Sequence, residues 1–511
     1  MAMAAGRWLL HPFLIGLYFV LTLAASNTIA LRGPRDLAWP ILISLLVCTL
    51  CWAVAYALSR NAHKASLLSL IWILAFSSFG YISETLRLPG TLKVIGGEPG
   101  LGVLFAVMLI GLSLAIHRSV RNLAPYSRYL TLVALLLVGY TTVQLYRGLR
   151  QERNLRALVP PPLIQNDRTR IADLPDIYLI ILDKYTGSEV LAQHFGFDNG
   201  EFEALLRKRG FVVPKHGRAN YPQTQLALAA MLNFDYVQNL PRQVHLYDLI
   251  EHNRLAAFLK LQGYRFVFFP TPFKFTSQNR NADLQLPAPR KVRGEFGAVW
   301  QQTTMLPELL SAGCAVLGCQ AGRFRYVPEA ADFMDWKFER IKDLAGGELP
   351  TFVLAHLSLP HEPYLYDADC THREPYWPLG AGVLGDEKAT RGYLEQISCV
   401  NRKIAVLVDS ILTRSRRLPV ILLQADHGHG RQGRHLPDHE DLEPFGLRER
   451  MSVFSAYLLP GVSPEMVGDS ITPVNAIRLV LRHYFGADLP PMEDASYWST
   501  EGRPYDFFRV E

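Results

Sequence analysis

Cysteine is scarce in this chain of 511 residues, and neither sign of charge dominates it. The formal net charge of +6 is small for this length and is spread along the sequence. No run of lysine and arginine of the kind that binds nucleic acid is present, so we expect no nucleic-acid partner. Internal repeats and low-complexity tracts are also absent, and the chain is too long for one ordinary domain.

Long apolar runs are rare after residue 147, because almost all of them lie before it, and this uneven distribution divides the chain. The first 146 residues carry five runs of the length that crosses a hydrocarbon core. They lie at about 8–30, 38–58, 65–83, 100–116 and 129–146. The first run resembles a signal peptide, but four more follow it, so we interpret it as an uncleaved helix. The sequence predicts a five-helix transmembrane domain over residues 1–146.

The orientation of that domain follows from the basic residues of its short loops. With the N-terminus in the cytoplasm, the inner loops hold six such residues and the outer loops hold four. Five spans then place everything after residue 147 outside. We expect a multi-pass inner (cytoplasmic) membrane protein with a periplasmic or extracellular C-terminal domain.

The remainder of the chain alternates between short apolar runs and amphipathic stretches. Residues 147–175 are charged and then proline-rich, which predicts a juxtamembrane helix and a stiff linker. Over residues 176–511, predicted strands such as "DIYLIILD" and "PVILLQAD" alternate with predicted helices such as "PVNAIRLVLRHYFG". This alternation is typical of an α/β domain with a largely parallel central sheet. Residues 275–345 fit the alternation least and are a candidate insertion near the functional site.

Three predicted strands end in residues that can bind a metal. "IYLIILD" ends at Asp183, "VILLQADH" ends at Asp426 and His427, and "TFVLAHLSLPHEPY" continues into His361. Ligands of open α/β sheets bind beyond the carboxyl ends of the strands, where neighbouring strands bring these residues together. Two carboxylates and an imidazole suit a divalent metal such as Zn²⁺ or Mn²⁺. His356, inside the third strand, is expected to be a packed core histidine.

The stretch "NYPQTQLALAAMLN" predicts a mostly apolar helix that begins near Thr224. The exposed N–H groups and the dipole at a helix N-terminus favour an anion. A hydroxyl group there can act as a nucleophile toward phosphorus. The alternative is that Thr224 only caps the helix.

Together these pieces resemble the alkaline phosphatase/sulfatase superfamily. The similarity is to its membrane-anchored branch, which includes lipoteichoic acid synthases and phosphoethanolamine or phosphoglycerol transferases. The matching segments are "YLIILDKYTG", "NYPQTQLALAAMLN", "HLSLPHEPY", "ADHGHG" and "SITPVNAIRLVLRHYFGADLPPMEDASYW". They lie within residues 177–498 and imply an alkaline-phosphatase-like domain.

The resemblance also implies roles for individual residues. Asp183, Asp426 and His427 match the ligands of one metal, and Thr224 matches the metal-bound nucleophile that becomes transiently phosphorylated. His361 matches a histidine near the leaving group. The remaining substrate-binding candidates are His439, His435 and Arg431.

Two departures from the family narrow the expected activity. The sulfatase motif with Cys or Ser in C/S-x-P-x-R is absent, which disfavours ordinary sulfate-ester hydrolysis. Lys184 follows Asp183 where many sulfatases carry a second acid, so one metal is expected rather than two.

The resulting hypothesis is a metal-dependent phosphotransferase or phosphodiesterase that acts on an envelope lipid or lipid-linked glycan. The alternatives are a sulfatase-type hydrolase and a catalytically silent membrane scaffold of envelope assembly. Mg²⁺ and Ca²⁺ stay open as metals, and the donor head group, the acceptor and the oligomeric state are undetermined.

The cysteines of the outer part are disulfide candidates. In an oxidising compartment Cys314, Cys319, Cys370 and Cys399 allow three pairings. We favour Cys314–Cys319 with Cys370–Cys399, and four free thiols are the alternative. Cys48 and Cys51 lie within a predicted span and are expected to be inert packing residues.

Overall fold

The protein was analysed as a computed structural model that describes most of the chain. The described residues are 9–26, 31, 35–87, 97–119, 122–155, 174–240, 245–271, 273–286, 295–317, 328–377, 386–430, 444–500 and 503–510. The chain forms two compact units. The helical unit comprises Met1–Asn154 and Arg293–Arg325, and the sheet unit comprises Leu155–Val292 and Tyr326–Glu511. The predicted domain limits of 146 and 175 stay predictions.

The helical unit begins with five apolar helices. They are α1 (His11–Ser26), α2 (Arg35–Ser59), α3 (Ala62–Arg87), α4 (Gly97–Arg118) and α5 (Ala124–Leu155). Four of them, α2 to α5, contain stretches of 19 to 24 residues that are long and apolar enough to cross a membrane. Helix α1 has 16 residues, about 24 Å of helix, which is short for the ~30 Å hydrocarbon core. The predicted apolar helices are therefore present, and the predicted count of five spans stays a prediction.

Two further helices of the helical unit come from a distant part of the sequence. They are α11 (Glu295–Thr303) and α12 (Leu306–Leu317). The sequence had assigned this region to an insertion within 275–345 near the functional site. The described part of that region instead contributes to both units. Residues 295–317 belong to the helical unit, and residues 328–345 belong to the sheet unit.

The sheet unit is built on a central sheet of six strands in the order β3-β2-β4-β1-β7-β8. The strands are β1 (Ile177–Asp183), β2 (Arg265–Phe269), β3 (Leu284–Gln285), β4 (Thr351–Pro360), β7 (Val420–Ala425) and β8 (Ser455–Leu458). All neighbouring pairs are parallel except β7 with β8. The predicted α/β architecture with a largely parallel sheet is thus confirmed.

The remaining strands and helices surround this sheet. Two small antiparallel pairs are β5 (Tyr364–Tyr366) with β6 (His372–Trp377) and β9 (Ser496–Trp498) with β10 (Phe508–Val510). The helices are α6 (Ser188–Phe195), α7 (Gly200–Lys208), α8 (Thr224–Leu232), α9 (Leu246–Glu251), α10 (Arg254–Leu261), α13 (Pro328–Lys342), α14 (Asp386–Arg414), α15 (Pro444–Met451), α16 (Pro464–Val467) and α17 (Pro473–Phe485).

Strand β1 shows why these residues form a central strand. Every residue of Ile177–Asp183 is buried, as expected of a continuous apolar run with cover on both faces. Tyr178, Ile180 and Leu182 point into one core with residues of α6, α7, α13 and α14. The alternate residues point into a second core with residues of α8, α9, α10 and α17. The period of two residues in a strand thus builds both cores, and the polar Asp183 is left at the strand's end.

Candidate metal and phosphoryl-transfer site

The candidate site lies at the carboxyl ends of three adjacent strands, β4, β1 and β7. Leu182 of β1 is paired with Leu357 of β4 and with Ala425 of β7. Asp183 is the last residue of β1, and Asp426 and His427 directly follow β7. The order of the strands therefore places three side chains at one edge of the sheet, although more than 240 residues of sequence separate the two aspartates.

Thr224 reaches this edge from the first position of helix α8. The residue before it, Gln223, is extended and makes no side-chain capping bond. Thr224 Oγ1 lies 3.0 Å from Nε2 of His427, so its hydroxyl group is directed at the strand ends. The first N–H groups of a helix lack intrahelical partners, and they lie beside this hydroxyl group. The hydroxyl group of Thr224 therefore faces the candidate metal ligands.

The segment ahead of α8 is tied to the C-terminal part of the chain. Asn220 donates to the carbonyl oxygen of Ala495 at 3.0 Å and accepts from the N–H of Val474 at 3.1 Å. Gln223 donates to the carbonyl oxygen of Ser499 at 3.2 Å. These buried contacts give Thr224 a defined position.

Asp183, Asp426 and His427 form a group with the donor set of a divalent metal site. Each offers one ligand atom, these atoms lie within 4.8 Å of one another, and all three residues are buried. Oδ1 of Asp183 and Oδ2 of Asp426 are buried without a hydrogen-bond partner. Buried carboxylate oxygens normally have a hydrogen-bond partner, because an oxygen without one has lost its hydrogen bonds to water and gained none within the protein. The two aspartates and the imidazole therefore fit a cation.

The electrostatics of the two carboxylates agree with that fit. Burial, together with the charge of Asp183, raises the pKa of Asp426 to about 7. Burial also raises the pKa of Asp183, but the charges of the surrounding histidines, His361 first, outweigh it, and the net pKa lies below the ordinary value. Two buried like charges this close favour either a shared proton or a bound cation.

His427 is oriented by its own backbone neighbour. Its Nδ1 lies 2.9 Å from the carbonyl oxygen of Gly428, which can only accept, so Nδ1 carries the proton and Nε2 is free to act as an acceptor or ligand. Burial, followed by the charge of Arg450, lowers the pKa of His427 well below its ordinary value. A Cβ at Gly428 would lie 2.1 Å from the carbonyl oxygen of Glu449, so only glycine fits here.

His361 lies at the end of β4 beside Asp183. Its N–H donates to the carbonyl oxygen of Asp183 at 3.0 Å, and its Nδ1 donates to the carbonyl oxygen of Glu362. Gln396 of α14 donates to the carbonyl oxygen of His361 at 2.9 Å. Gln396 thus holds this turn from the neighbouring helix.

Lys184 does not contribute a ligand but forms an ion pair. Its Nζ lies 2.9 and 3.0 Å from the two carboxylate oxygens of Glu362. Its N–H donates to Oδ1 of Asp426 at 3.2 Å, and its φ of 64° is unusual for a residue other than glycine. The ammonium group of Lys184 thus lies beside the candidate metal ligands. A second metal would need a carboxylate at this position instead.

His356 is a residue whose part in the site the sequence did not indicate. Its Nε2 lies 3.5 Å from Oδ2 of Asp183 and has no hydrogen-bond partner, while its Nδ1 lies 2.9 Å from Oγ1 of Thr276. It is fully buried, as predicted for a core histidine, yet it faces the carboxylate of the site. The sequence does not indicate this contact, because His356 lies inside an apolar strand.

Arg450 is the second residue that the sequence did not indicate. It follows the site in the chain by more than 20 residues, and nothing in its local pattern distinguishes it. Its Nε donates to the carbonyl oxygen of Pro222 at 2.7 Å, and its Nη2 lies 3.4 Å from Nε2 of His427. A guanidinium group is therefore present beside Thr224, and it can bind the oxygens of an anionic substrate.

Some predicted residues lie outside the described part of the chain. Arg431, His435 and His439 all fall in the segment 431–443, and Cys319 falls in 318–327. Cys314 lies on α12, but its side chain is not described. Cys370 and Cys399 form a disulfide, whereas Cys48 and Cys51 are free.

A second group of carboxylate and imidazole side chains in the sheet unit is also close enough to hold a metal. Asp248, Glu251 and His252 place one ligand atom each within 4.8 Å of one another. However, Arg280 contacts both carboxylate oxygens of Glu251, at 2.6 and 2.8 Å, and Asn281 contacts Nδ1 of His252 at 2.9 Å. Glu251 of this second group is therefore already paired with an internal cation.

Comparison with known proteins gives structural likenesses only. No family model and no curated protein matches the chain. The chain is similar to the integral membrane lipooligosaccharide phosphoethanolamine transferase A from Neisseria meningitidis, with 11% identity and a TM-score of 0.44, over 94% of this chain and 95% of that one.

Two other solved structures are similar to the chain over a smaller part. The C-terminal periplasmic domain of EptC from Escherichia coli, in complex with Zn, has 13% identity and a TM-score of 0.46, over 69% of this chain and 96% of that one. An alkaline phosphatase superfamily protein from Vibrio parahaemolyticus has 14% identity and a TM-score of 0.38, over 71% and 83%. The function proposed below rests on the side chains of this chain.

Proposed function

We propose that this protein is a membrane phosphotransferase or phosphodiesterase that forms a phospho-threonine intermediate at Thr224. The observation that supports it is the hydroxyl group of Thr224 at the N-terminus of α8, 3.0 Å from His427 and beside the unpaired oxygens of Asp183 and Asp426. A nucleophile, an anion-binding helix end and a cation site at one point suit the transfer of a phosphoryl group.

Asp183, Asp426, His427 and the hydroxyl group of Thr224 would hold one divalent metal, with Zn²⁺ or Mn²⁺ favoured by the mixed oxygen and nitrogen donors. When bound, such a metal supplies positive charge that favours an ionised hydroxyl group and charged phosphoryl oxygens. The ion pair of Lys184 and Glu362 occupies the neighbouring space, which supports one metal rather than two.

Each residue of the site has a separate role in the proposed reaction. Oγ1 of Thr224 gives its proton to water and bonds to phosphorus while the bond from phosphorus to the leaving alcohol breaks. Arg450 and the N–H groups of α8 bind the phosphoryl oxygens. His361, beside Asp183, donates a proton to the leaving alcohol. Water or a second alcohol then gives its proton to His361 and attacks phosphorus, the bond to Thr224 breaks, and Thr224 regains a proton from water.

Helices α2 to α5, which are long enough to cross a membrane, suggest that the substrate lies in or at the membrane. Four helices are long and apolar enough to cross a membrane, which exceeds what an anchor needs. We therefore propose a lipid or lipid-linked glycan of the cell envelope as donor or acceptor. With five spans and the N-terminus inside, as the basic residues of the inner loops favour, the site would face the periplasm or the exterior from the inner membrane.

The test compares turnover of bis(4-nitrophenyl) phosphate and 4-nitrophenyl sulfate by the purified full-length protein. We expect diester turnover that is lost in Thr224→Ala and after metal removal, and partly kept in Thr224→Ser. Thr413→Ala, at an exposed helix position, is the matched control and should leave turnover unchanged. Intact mass during turnover should show one 4-nitrophenyl phosphoryl adduct that Thr224→Ala lacks.

Other outcomes would redirect the assignment. Turnover of the sulfate alone would favour the sulfatase-type alternative. A Thr224→Ala variant with full diester turnover would refute the nucleophile. Absence of turnover with no metal bound would favour a silent scaffold.

A further inference from the structure

Helices α11 and α12 belong to the helical unit, although the sequence on both sides of them belongs to the sheet unit. The chain leaves the sheet unit at Val292, contributes Arg293–Arg325 to the helical unit, and returns at Tyr326. The membrane part of this protein is therefore not only its N-terminal third. The contacts of residues 295–317 indicate how far they lie from the ends of the apolar helices.

Helix α11 is buried among the apolar helices. Phe296 and Trp300 are almost fully buried in a cluster with Val20, Leu23 and Leu145. The ring of Trp300 lies 5.2 Å from that of Trp39, edge to face. Trp39 follows the start of its membrane-length stretch, Asp36, by three residues, which is about 5 Å along a helix.

The link between α11 and α12 lies deeper still. The N–H of Met305 donates to the carbonyl oxygen of Phe76 at 2.8 Å, and Met305 packs with Phe79 and Phe105. Phe76 precedes Ser83, where the membrane-length stretch of α3 ends, by seven residues, or about 10 Å of helix. Non-helical backbone is tolerated at such depth only where its polar groups are satisfied within the protein.

The polar groups around this link are satisfied in that way. Oγ1 of Thr303 donates to the carbonyl oxygen of Trp300 at 2.8 Å, and Oγ1 of Thr304 donates to that of Gln301 at 2.9 Å. Together with the bond from Met305 to Phe76, these contacts leave the bend compatible with a hydrocarbon environment.

Helix α12 starts at this depth and is too short to cross. Its 12 residues span about 18 Å, against the ~30 Å of a hydrocarbon core. Glu308 is its only charged residue, and Leu309 is 52% exposed. In the sequence, basic residues flank the apolar stretch on both sides, as at a membrane interface. They are Arg290, Lys291, Arg293, Arg323 and Arg325.

We infer that residues 295–317 form a re-entrant helical hairpin that enters the bilayer from the end of the bundle where α5 finishes. The exposed face of α12 around Leu309 binds the acyl chains of phospholipids in that leaflet. The inference rests on packing within the helical unit and not on the proposed enzymatic activity.

The test places a photoreactive benzoylphenylalanine at position 309 of the full-length protein in vesicles of phosphatidylethanolamine and phosphatidylglycerol. Leu261, which is 72% exposed on α10 of the sheet unit, is the matched control, and Leu104, 56% exposed on α4, sets the yield for a lipid-facing position. After illumination, phospholipid adducts are counted by mass spectrometry. We expect a yield at 309 comparable to that at 104 and at least roughly tenfold above that at 261, because only acyl chains surround a side chain within the hydrocarbon core.

Two outcomes would overturn the hairpin. One is a yield at 309 as low as that at 261. The other is labelling of a cysteine in Leu309→Cys by a membrane-impermeant maleimide as fast as in Leu261→Cys, because a side chain among acyl chains is protected from a reagent dissolved in water. Both substitutions are at exposed positions, so neither outcome depends on a folding defect.

Discussion

In the described part of the sheet unit, two groups of carboxylate and imidazole side chains are close enough to hold a metal, and they differ in their charge partners. Around Glu251, the cation of Arg280 contacts both carboxylate oxygens. Around Asp183 and Asp426, each carboxylate keeps a buried oxygen without a hydrogen-bond partner. Spacing alone does not distinguish the groups. The arginine does, because a buried carboxylate needs a counter-charge and Glu251 already has one.

The largest expected effect separates the two groups by metal binding. Asp183→Asn removes a ligand oxygen and its charge, so metal affinity should fall by more than the roughly 10- to 100-fold that follows loss of an outer partner. Glu251→Gln should leave affinity and stoichiometry unchanged. Metal content after dialysis, together with titration of the metal-free protein, measures both. Equal losses in the two variants would contradict the assignment of the site.

His356 tests how far the site extends beyond its three ligands. His356→Gln removes the imidazole 3.5 Å from Asp183, and metal affinity should fall roughly 10- to 100-fold, as for other residues that orient a ligand. His252→Gln is the matched control in the other group and should bind metal as the native protein does. Unchanged affinity in His356→Gln would make it a core residue only.

The dependence of metal affinity on pH follows from Asp426. Its pKa of about 7 in the metal-free site means that the carboxyl binds a proton below pH 7, and the metal must displace it. Apparent affinity should therefore fall about tenfold for each pH unit below 7 and level off above it. Titrations at pH 5.5, 6.5 and 8 measure the slope. A flat profile would show that the site carries no such proton.

Stability of the metal-free protein should fall more at the Glu251 group than at Asp183. Glu251→Gln breaks a pair whose carboxylate is buried, at a cost of about 2–3 kcal/mol, since Arg280 is half exposed. Asp183→Asn should change the stability by less, because it removes the favourable charges of the surrounding histidines but also relieves repulsion with Asp426. Thermal unfolding after metal removal measures both. Destabilisation of the same size in both variants would remove the distinction.

Acid should affect the Glu251 pair in a defined window. Burial raises the pKa of Glu251, but Arg280 lowers it more, so the folded pKa lies below the unfolded one. The stability from this pair is thus present above the unfolded pKa of about 4.3 and is lost as the pH falls through the folded value. Glu251→Gln should remove that loss.

The smallest effect concerns Lys337, a buried charge of the opposite sign. Its Nζ donates to the carbonyl oxygen of His356 at 3.1 Å, and burial lowers its pKa to about 7. The unfolded chain binds this proton more tightly, so stability should rise by roughly 2 kcal/mol between pH 7 and pH 9. Lys337→Met should remove that rise in thermal unfolding. A rise of the same size in Lys337→Met would assign the effect to other groups.

Much of the fold could be predicted because its signals are local. The predicted strand "IYLIILD" is β1, and the predicted helix "PVNAIRLVLRHYFG" is α17 without its last glycine. The stretch "LIEHNRLAAFLKLQG" contains the end of α9 and all of α10. Asn253 separates them, because its side chain accepts from the N–H of Ala256 at 2.8 Å and caps the second. Capping of this kind competes with helix continuation over a few residues and is hard to distinguish in sequence.

The sequence by itself determined the apolar helices, the alternation of strands and helices, and the polar residues that end β1 and β7. Each of these depends on residues close together in the chain. Tertiary structure alone decided that His356 and Arg450 face the site, that Glu251 is neutralised by Arg280, and that residues 295–317 belong to the helical unit. The physical reason is that burial and charge pairing depend on contacts across hundreds of residues, and local sequence carries no record of them.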